Sequence, residues 1–159
     1  MTDSKSAEPE VAPGRGVTVA SGVRSYRGGC HCGAVRFEAD LDLTHPVSRC
    51  NCTQCTKRGA TTSIVRPAAF RLLTGENALA DYEWGGRTGR FRFCSRCGTF
   101  VFLLGSLPQL GGAYVSVNVN CLDDIEPSTL KVIHWDGRHD NWASGPRDVP
   151  WPVHALAAR

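Results

Sequence analysis

Seven of the eight cysteines in this 159-residue chain fall into three short clusters. They are "GGCHCG" with Cys30 and Cys32, "CNCTQC" with Cys50, Cys52 and Cys55, and "FCSRCG" with Cys94 and Cys97. Thiols this dense either pair as disulfides or hold metal. The opening "MTDSKSAEPEVAPG" lacks the apolar core of a signal peptide, and no apolar run approaches the roughly 20 residues that span a bilayer. The expectation is a cytoplasmic protein with no membrane partner. Thiols stay reduced there, so the clusters read as metal sites before disulfides.

Zinc takes a tetrahedron of thiolates at about 2.3 Å, which sets ligand sulfurs roughly 3.8 Å apart. A CxxC turn meets that spacing because the chain doubles back. In a CxC both side chains leave one face of an extended segment, so a small bend brings the sulfurs together. Gly33 and Gly98 directly follow Cys32 and Cys97. Glycine admits positive φ, which lets the backbone curl and turn N–H groups toward the thiolates. Arg92 and Arg96 are candidates to offset the net −2 charge of a four-thiolate zinc.

The economical partition is four plus three. Cys30, Cys32, Cys94 and Cys97 form a closed structural site joining segments about sixty residues apart, a clip that stabilises the fold. Cys50, Cys52 and Cys55 are left as an open site. Three protein ligands and an exchangeable fourth position are the pattern of catalytic zinc, a Lewis acid that binds a thiol as thiolate or polarises a carbonyl. Two alternatives stay open at this level. The trio closes as Cys₃His with His31 or His45, or Cys30 and Cys32 combine with the trio instead.

The rest of the chain reads as mainly β. Residues 1–23 are polar and rich in Pro, Gly and Ser, and are expected to be a disordered tail ahead of a single domain over 24–155. Short β-prone segments recur between turn residues: 34–39, 61–65, 70–73, 81–84, 90–93, 99–104, 113–120 and 130–135. Val35 and Phe37 fall on one face of 34–39, and Val115, Val117 and Val119 on one face of 113–120. This spacing predicts an antiparallel sandwich or barrel, with about one helical turn after Cys52 and another near 121–125. Cys121 stands alone after a strand and reads as a small buried hydrophobe. Trp84, Trp135, Trp142 and Trp151 read as core and edge packing, and Asp136-Gly137 as a turn. Net charge is +3 with no dense Lys/Arg block, so a nucleic-acid partner is not expected.

The ordered clusters "GGCHCGAVRF", "CNCTQC" and "FCSRCGTFVF" resemble the glutathione-dependent formaldehyde-activating enzyme family, which includes centromere protein V. "FRLLTGENALADYEW", "VNVNCLDD" and "HWDGRHDNW" resemble its centromere-protein-V-like branch. The resemblance runs from about Tyr26 to Trp142. It implies an Mss4-like antiparallel β-sandwich with short helical turns, stapled by a structural zinc on Cys30, Cys32, Cys94 and Cys97. It implies a catalytic zinc on Cys50, Cys52 and Cys55, hence two Zn²⁺ per chain. The implied activity is that of a carbon–sulfur lyase, which joins a small-molecule thiol and an aldehyde, glutathione and formaldehyde, into S-hydroxymethylglutathione. Relatives often carry His between the first two cysteines of the trio, where this chain has Asn51; the metal ligands are intact, and a proton carrier is missing. Glutathione has two carboxylates, so Lys57 and Arg58, directly after the trio, are candidate substrate-binding residues. The alternative function is a non-catalytic zinc module that binds a protein or nucleic acid.

Overall fold

The computed structural model describes residues 22–154. Of the expected tail, residues 1–21 lie outside the described residues, as does residue 155 at the end of the expected domain. The elements are β1 (Val23–Gly29), β2 (Arg36–Asp42), β3 (Val47–Cys50), α1 (Thr53–Arg58), β4 (Thr62–Val65), β5 (Phe70–Thr74), β6 (Leu79–Glu83), β7 (Gly89–Cys94), β8 (Phe100–Leu107), β9 (Gly112–Asn118) and β10 (Val132–Trp135). Short 3₁₀ turns fill several connections, one of them at Val119–Cys121 rather than over 121–125.

The strands form two sheets, β1-β2-β5 and β10-β3-β4-β9-β8-β7-β6. Pairing is antiparallel throughout, apart from β10, which lies parallel to β3 with His134 opposite Arg49 and Trp135 opposite Cys50. The core lies between the sheets. Phe37, Leu41, Val101, Phe102, Val115, Val117 and Val119 are each 2% exposed or less. Phe70 of the small sheet stacks on Phe37 at 5.5 Å and tilts against Phe102 of the large sheet at 4.6 Å. Such ring pairs add ~0.5–1.5 kcal/mol each beyond simple burial. The alternation expected around β2 is present, since Val35 and Phe37 are buried between less buried neighbours; Val115, Val117 and Val119 are buried as well, but so are Ser116 and Asn118 between them.

The outer face of the small sheet is a charge ladder. Arg71 pairs with Glu38 at 2.7 Å and Asp40 at 3.1 Å, and Arg27 reaches Glu38 at 3.3 Å. Exposed pairs contribute little to stability and chiefly keep this face wet. Among the described residues, no helix is long and apolar enough to cross a membrane.

Candidate metal centre and adjoining cavity

Cys30 and Cys32 lie in the turn that leaves β1 of the small sheet, and Cys94 and Cys97 in the turn that leaves β7 of the large one. Gly33 at φ 76° and Gly98 at φ 74° make the two curls that were expected of them. Their four sulfurs lie within 4.8 Å of one another. Cys30 and Cys32 Sγ are 3.5 Å apart and Cys32 and Cys94 Sγ 3.7 Å, close to the ~3.8 Å of a zinc tetrahedron. The N–H of Val35 points at Cys30 Sγ at 3.3 Å. The Thr99 hydroxyl, 3.2 Å from Cys97 Sγ, and the N–H groups of Thr99 and Cys32 hold the Cys97 thiol down to about 5. This set fits a metal that staples one sheet to the other. Arg92 does not offset its charge, because its guanidinium is taken by Glu76 at 2.7 Å and Asp81 at 2.8 Å.

The second cluster is built by the start of α1. Cys50 ends β3, and Cys52 is the N-cap of the helix. Its sulfur accepts from the N–H of Cys55 at 3.5 Å, the place usually taken by a Ser or Asp oxygen. The helix is only six residues long and ends at Gly59, φ 59°, whose N–H closes on Cys55 and Thr56 carbonyls. Lys57 and Arg58 stand in its last turn, where cations suit the helix dipole.

The three sulfurs of Cys50, Cys52 and Cys55 also lie within 4.8 Å of one another. They share protons: Cys50, then Cys55, hold Cys52 down to about 2, while Cys50 and Cys52 push Cys55 far up, and Cys52 pushes Cys50 up. Three thiols this close cannot all ionise unless a cation sits between them, so the donor set fits a soft divalent metal. Among the described residues no histidine or carboxylate joins this group. The Cys₃His alternative is thereby corrected. His45 points outward, 79% exposed, with Nε2 3.6 Å from Asp42, and exposed His31 donates its N–H to Thr99 beside the other cluster. The mixed partition is corrected as well, since Cys30 and Cys32 belong with Cys94 and Cys97.

Cys50 and Cys55 line a cavity of about 430 Å³ together with Arg49, His134, Trp135, Pro150 and Trp151. Arg49 donates from Nε to Thr61 at 2.8 Å and has no acidic partner among the described residues. Burial, then the charges of Arg49 and Arg147, push His134 below its ordinary range. Trp151 donates to the His134 carbonyl at 2.9 Å, and Arg147 lies 3.9 Å over its ring, so the 147–151 segment forms a wall. Trp135 and Trp151 line the cavity and Trp84 and Trp142 are more than half exposed, so of the expected core and edge packing the core part is corrected; Trp135 and Trp142 pack on each other at 6.1 Å. Lys57 and Arg58 line a separate hollow of about 350 Å³ with Thr53, Gln54 and Tyr82. The Arg58 guanidinium rests over Phe91 at 4.2 Å and donates to the Gln54 carbonyl at 3.1 Å.

Asn51 and Asp136 form a contact that sequence reasoning missed. Asn51 Nδ2 donates to Asp136 Oδ1 at 2.7 Å, and Asn51 Oδ1 accepts from the Arg138 N–H at 2.9 Å. The only signal in the sequence was "WDG" itself, which reads as a turn. Cys121 is buried as expected, its thiol pushed up to about 12 by burial.

A mainly β fold with a four-cysteine cluster between its sheets and a three-cysteine cluster opening on a cavity has the donor sets of a protein able to hold metal on cysteine sulfurs. The sequence profile described as glutathione-dependent formaldehyde-activating enzyme matches residues 25–135, and the chain belongs to that family. A curated Halomonas elongata protein, whose name proposes a glutathione-dependent formaldehyde-activating enzyme, is 33% identical over 84 residues. That match covers 48% of this chain, and the chain spans about half the relative's length, 54%. A crystal structure of a Rhodobacter sphaeroides protein is 32% identical with a TM-score of 0.61, covering 69% of this chain and 98% of that one.

Proposed function

We propose that the chain joins a glutathione-like thiol to a small aldehyde such as formaldehyde, giving an S-hydroxymethyl adduct, with carbon–sulfur lyase chemistry in reverse. The observation that carries this reading is the shared cavity: Cys50 and Cys55 line it beside the Arg49 guanidinium, which has no acidic partner among the described residues, and the His134 imidazole. The proposed ligand set is one zinc on Cys30, Cys32, Cys94 and Cys97 and a second on Cys50, Cys52 and Cys55. When bound, the second ion lowers the pKa of a substrate thiol at its open position.

The remaining work falls to side chains. Arg49 holds a substrate carboxylate, a charge-assisted contact worth ~1.5–3 kcal/mol. Trp135, Pro150 and Trp151 restrict water around the reacting carbon. His134, neutral at pH 7, accepts the thiol proton and returns it to the oxygen of the aldehyde as the carbon–sulfur bond forms. Atoms balance, since the thiol hydrogen ends as the hydroxyl hydrogen of the adduct. Lys57 and Arg58 serve a second carboxylate on the other hollow that α1 borders. The family of the chain and the name of its Halomonas elongata relative support the substrate pair.

The test is the exchange rate between ¹³C-formaldehyde and its glutathione adduct, followed by NMR with and without protein. Wild type is expected to exceed the buffer rate, and His134→Gln to lose ~100-fold of the added rate. A wild-type rate equal to buffer sinks the proposal.

A further inference from the structure

The loop that follows β10 is bound to the trio by the residue between its first two cysteines. Asn51 has every polar group engaged. Its N–H donates to the Trp135 carbonyl at 3.1 Å, and its carbonyl accepts from Thr56 Oγ1 at 3.2 Å and Arg138 Nε at 3.3 Å. Its amide takes Asp136 at 2.7 Å and the Arg138 N–H at 2.9 Å. The Asp136 side chain is 5% exposed. It accepts from Asn51 Nδ2 and His139 Nδ1, each at 2.7 Å, and from Asn141 Nδ2 at 3.5 Å. A carboxylate this buried is tolerated because side-chain donors meet it, two short ones on Oδ1 and the longer Asn141 contact on Oδ2. It is not itself within ligand distance of the three sulfurs. The next residue, Gly137, packs so close that a Cβ there would lie 2.5 Å from Cys50 Sγ. All of this loop lies past the residues matched by the family profile, which end at 135.

We propose that Asp136 is a positioning residue for the open thiolate trio: its buried carboxylate fixes Asn51, and Asn51 fixes the turn that sets Cys50 against Cys52. The inference rests on the reading of the trio as a metal site, and not on the reaction proposed for it. Ligands held by such outer contacts lose little order when the metal leaves, so the contacts raise metal affinity; removing one typically costs ~10–100-fold.

The two cysteine clusters give the test an internal control. Zinc-loaded wild type is mixed with a chromophoric chelator, and release is followed with time. A fast phase reports the open trio, a slow phase the closed four-thiolate site. Asp136→Ala is expected to speed the fast phase by ~10-fold or more and to leave the slow phase unchanged. Asp136→Asn keeps an oxygen for Asn51 and falls between the two. Asn51→Ala removes the same bond while His139 and Asn141 still cover Asp136, so it speeds the fast phase in a chain that keeps its buried carboxylate paired. The double variant Asn51→Ala/Asp136→Ala releases no faster than the quicker single variant, because both act through one contact. Equal acceleration of both phases, an unmoved fast phase, or additive single effects overturns the proposal. A wild type with no fast phase removes the metal from the trio, and the proposal with it, whatever the exchange assay shows.

Discussion

Replacing Gly137 with alanine is the smallest change that reaches the trio without touching a ligand. The added Cβ would stand 2.5 Å from Cys50 Sγ, where ordinary contact begins near 3.4 Å, a shortfall of about 0.9 Å. It would also stand 2.9 Å from the Trp142 ring, but that ring is half exposed and can swing away. Cys50 cannot do so freely. Its sulfur accepts the Cys52 N–H at 3.4 Å and shares the space of two other sulfurs. The loop cannot retreat freely either, because residues on each side of Gly137 bond Asn51. Overpacking of this kind costs ~1–3 kcal/mol. A displacement of about 0.9 Å also exceeds the ~0.2 Å tolerance of a metal–ligand distance. The expected outcome is a folded Gly137→Ala protein that keeps the ion of the four-thiolate site and loses most of the other. Metal content by mass spectrometry of the native protein reads this directly. Full retention of both ions, with unchanged release to a chelator, would refute the packing argument.

Three further outcomes follow from the same geometry. Arg49→Ala raises the KM for a carboxylate-bearing thiol ~10-fold or more, while Lys57→Ala/Arg58→Ala raises it less, because Arg58 is already engaged by Gln54 and Phe91; steady-state kinetics on the two variants decides between the hollows. Cys94→Ser opens the fully buried corner of the inter-sheet staple and leaves a chain that melts well below wild type, with a single weak site by metal titration. Arg36 holds the Asp123 carboxyl below its usual range, so the pair adds stability above the ordinary carboxylate pKa that is lost as pH falls through the depressed value; Arg36→Ala lowers the melting temperature by a constant amount at neutral and alkaline pH, and the gap to wild type closes as pH falls into the acid range.

The cysteine clusters were legible in the sequence because each motif's own turn is local. A CxC or CxxC followed by glycine specifies its own turn, and Gly33 and Gly98 adopt the positive φ that the pattern demands. Alternation likewise gave away β2 and β9, whose inward faces are apolar. β3 was not visible: "VSRC" is four residues long, and its parallel partner β10 lies some eighty positions away. The same distance hid the Asp136–Asn51 bond, which joins positions 85 apart. Asp-Gly is a sound turn signal, and nothing local says that the turn will be pressed against a thiolate. Arg92 illustrates the opposite error. Proximity in sequence to Cys94 made it a candidate partner for the cluster, but strand pairing turned it toward Asp81 instead. His31 and His45 failed as ligands for a related reason, since nearness along the chain did not place either ring at the trio.

One closed and one open thiolate metal site per chain is what the proposed function requires. The most direct measurement is zinc per chain in reduced, freshly purified protein, repeated after a mild chelator. Two ions, one of them removed readily from a chain that stays folded, is the predicted result. A single tightly held ion, or two that the chelator cannot touch, contradicts it and shifts the reading to a non-catalytic zinc module.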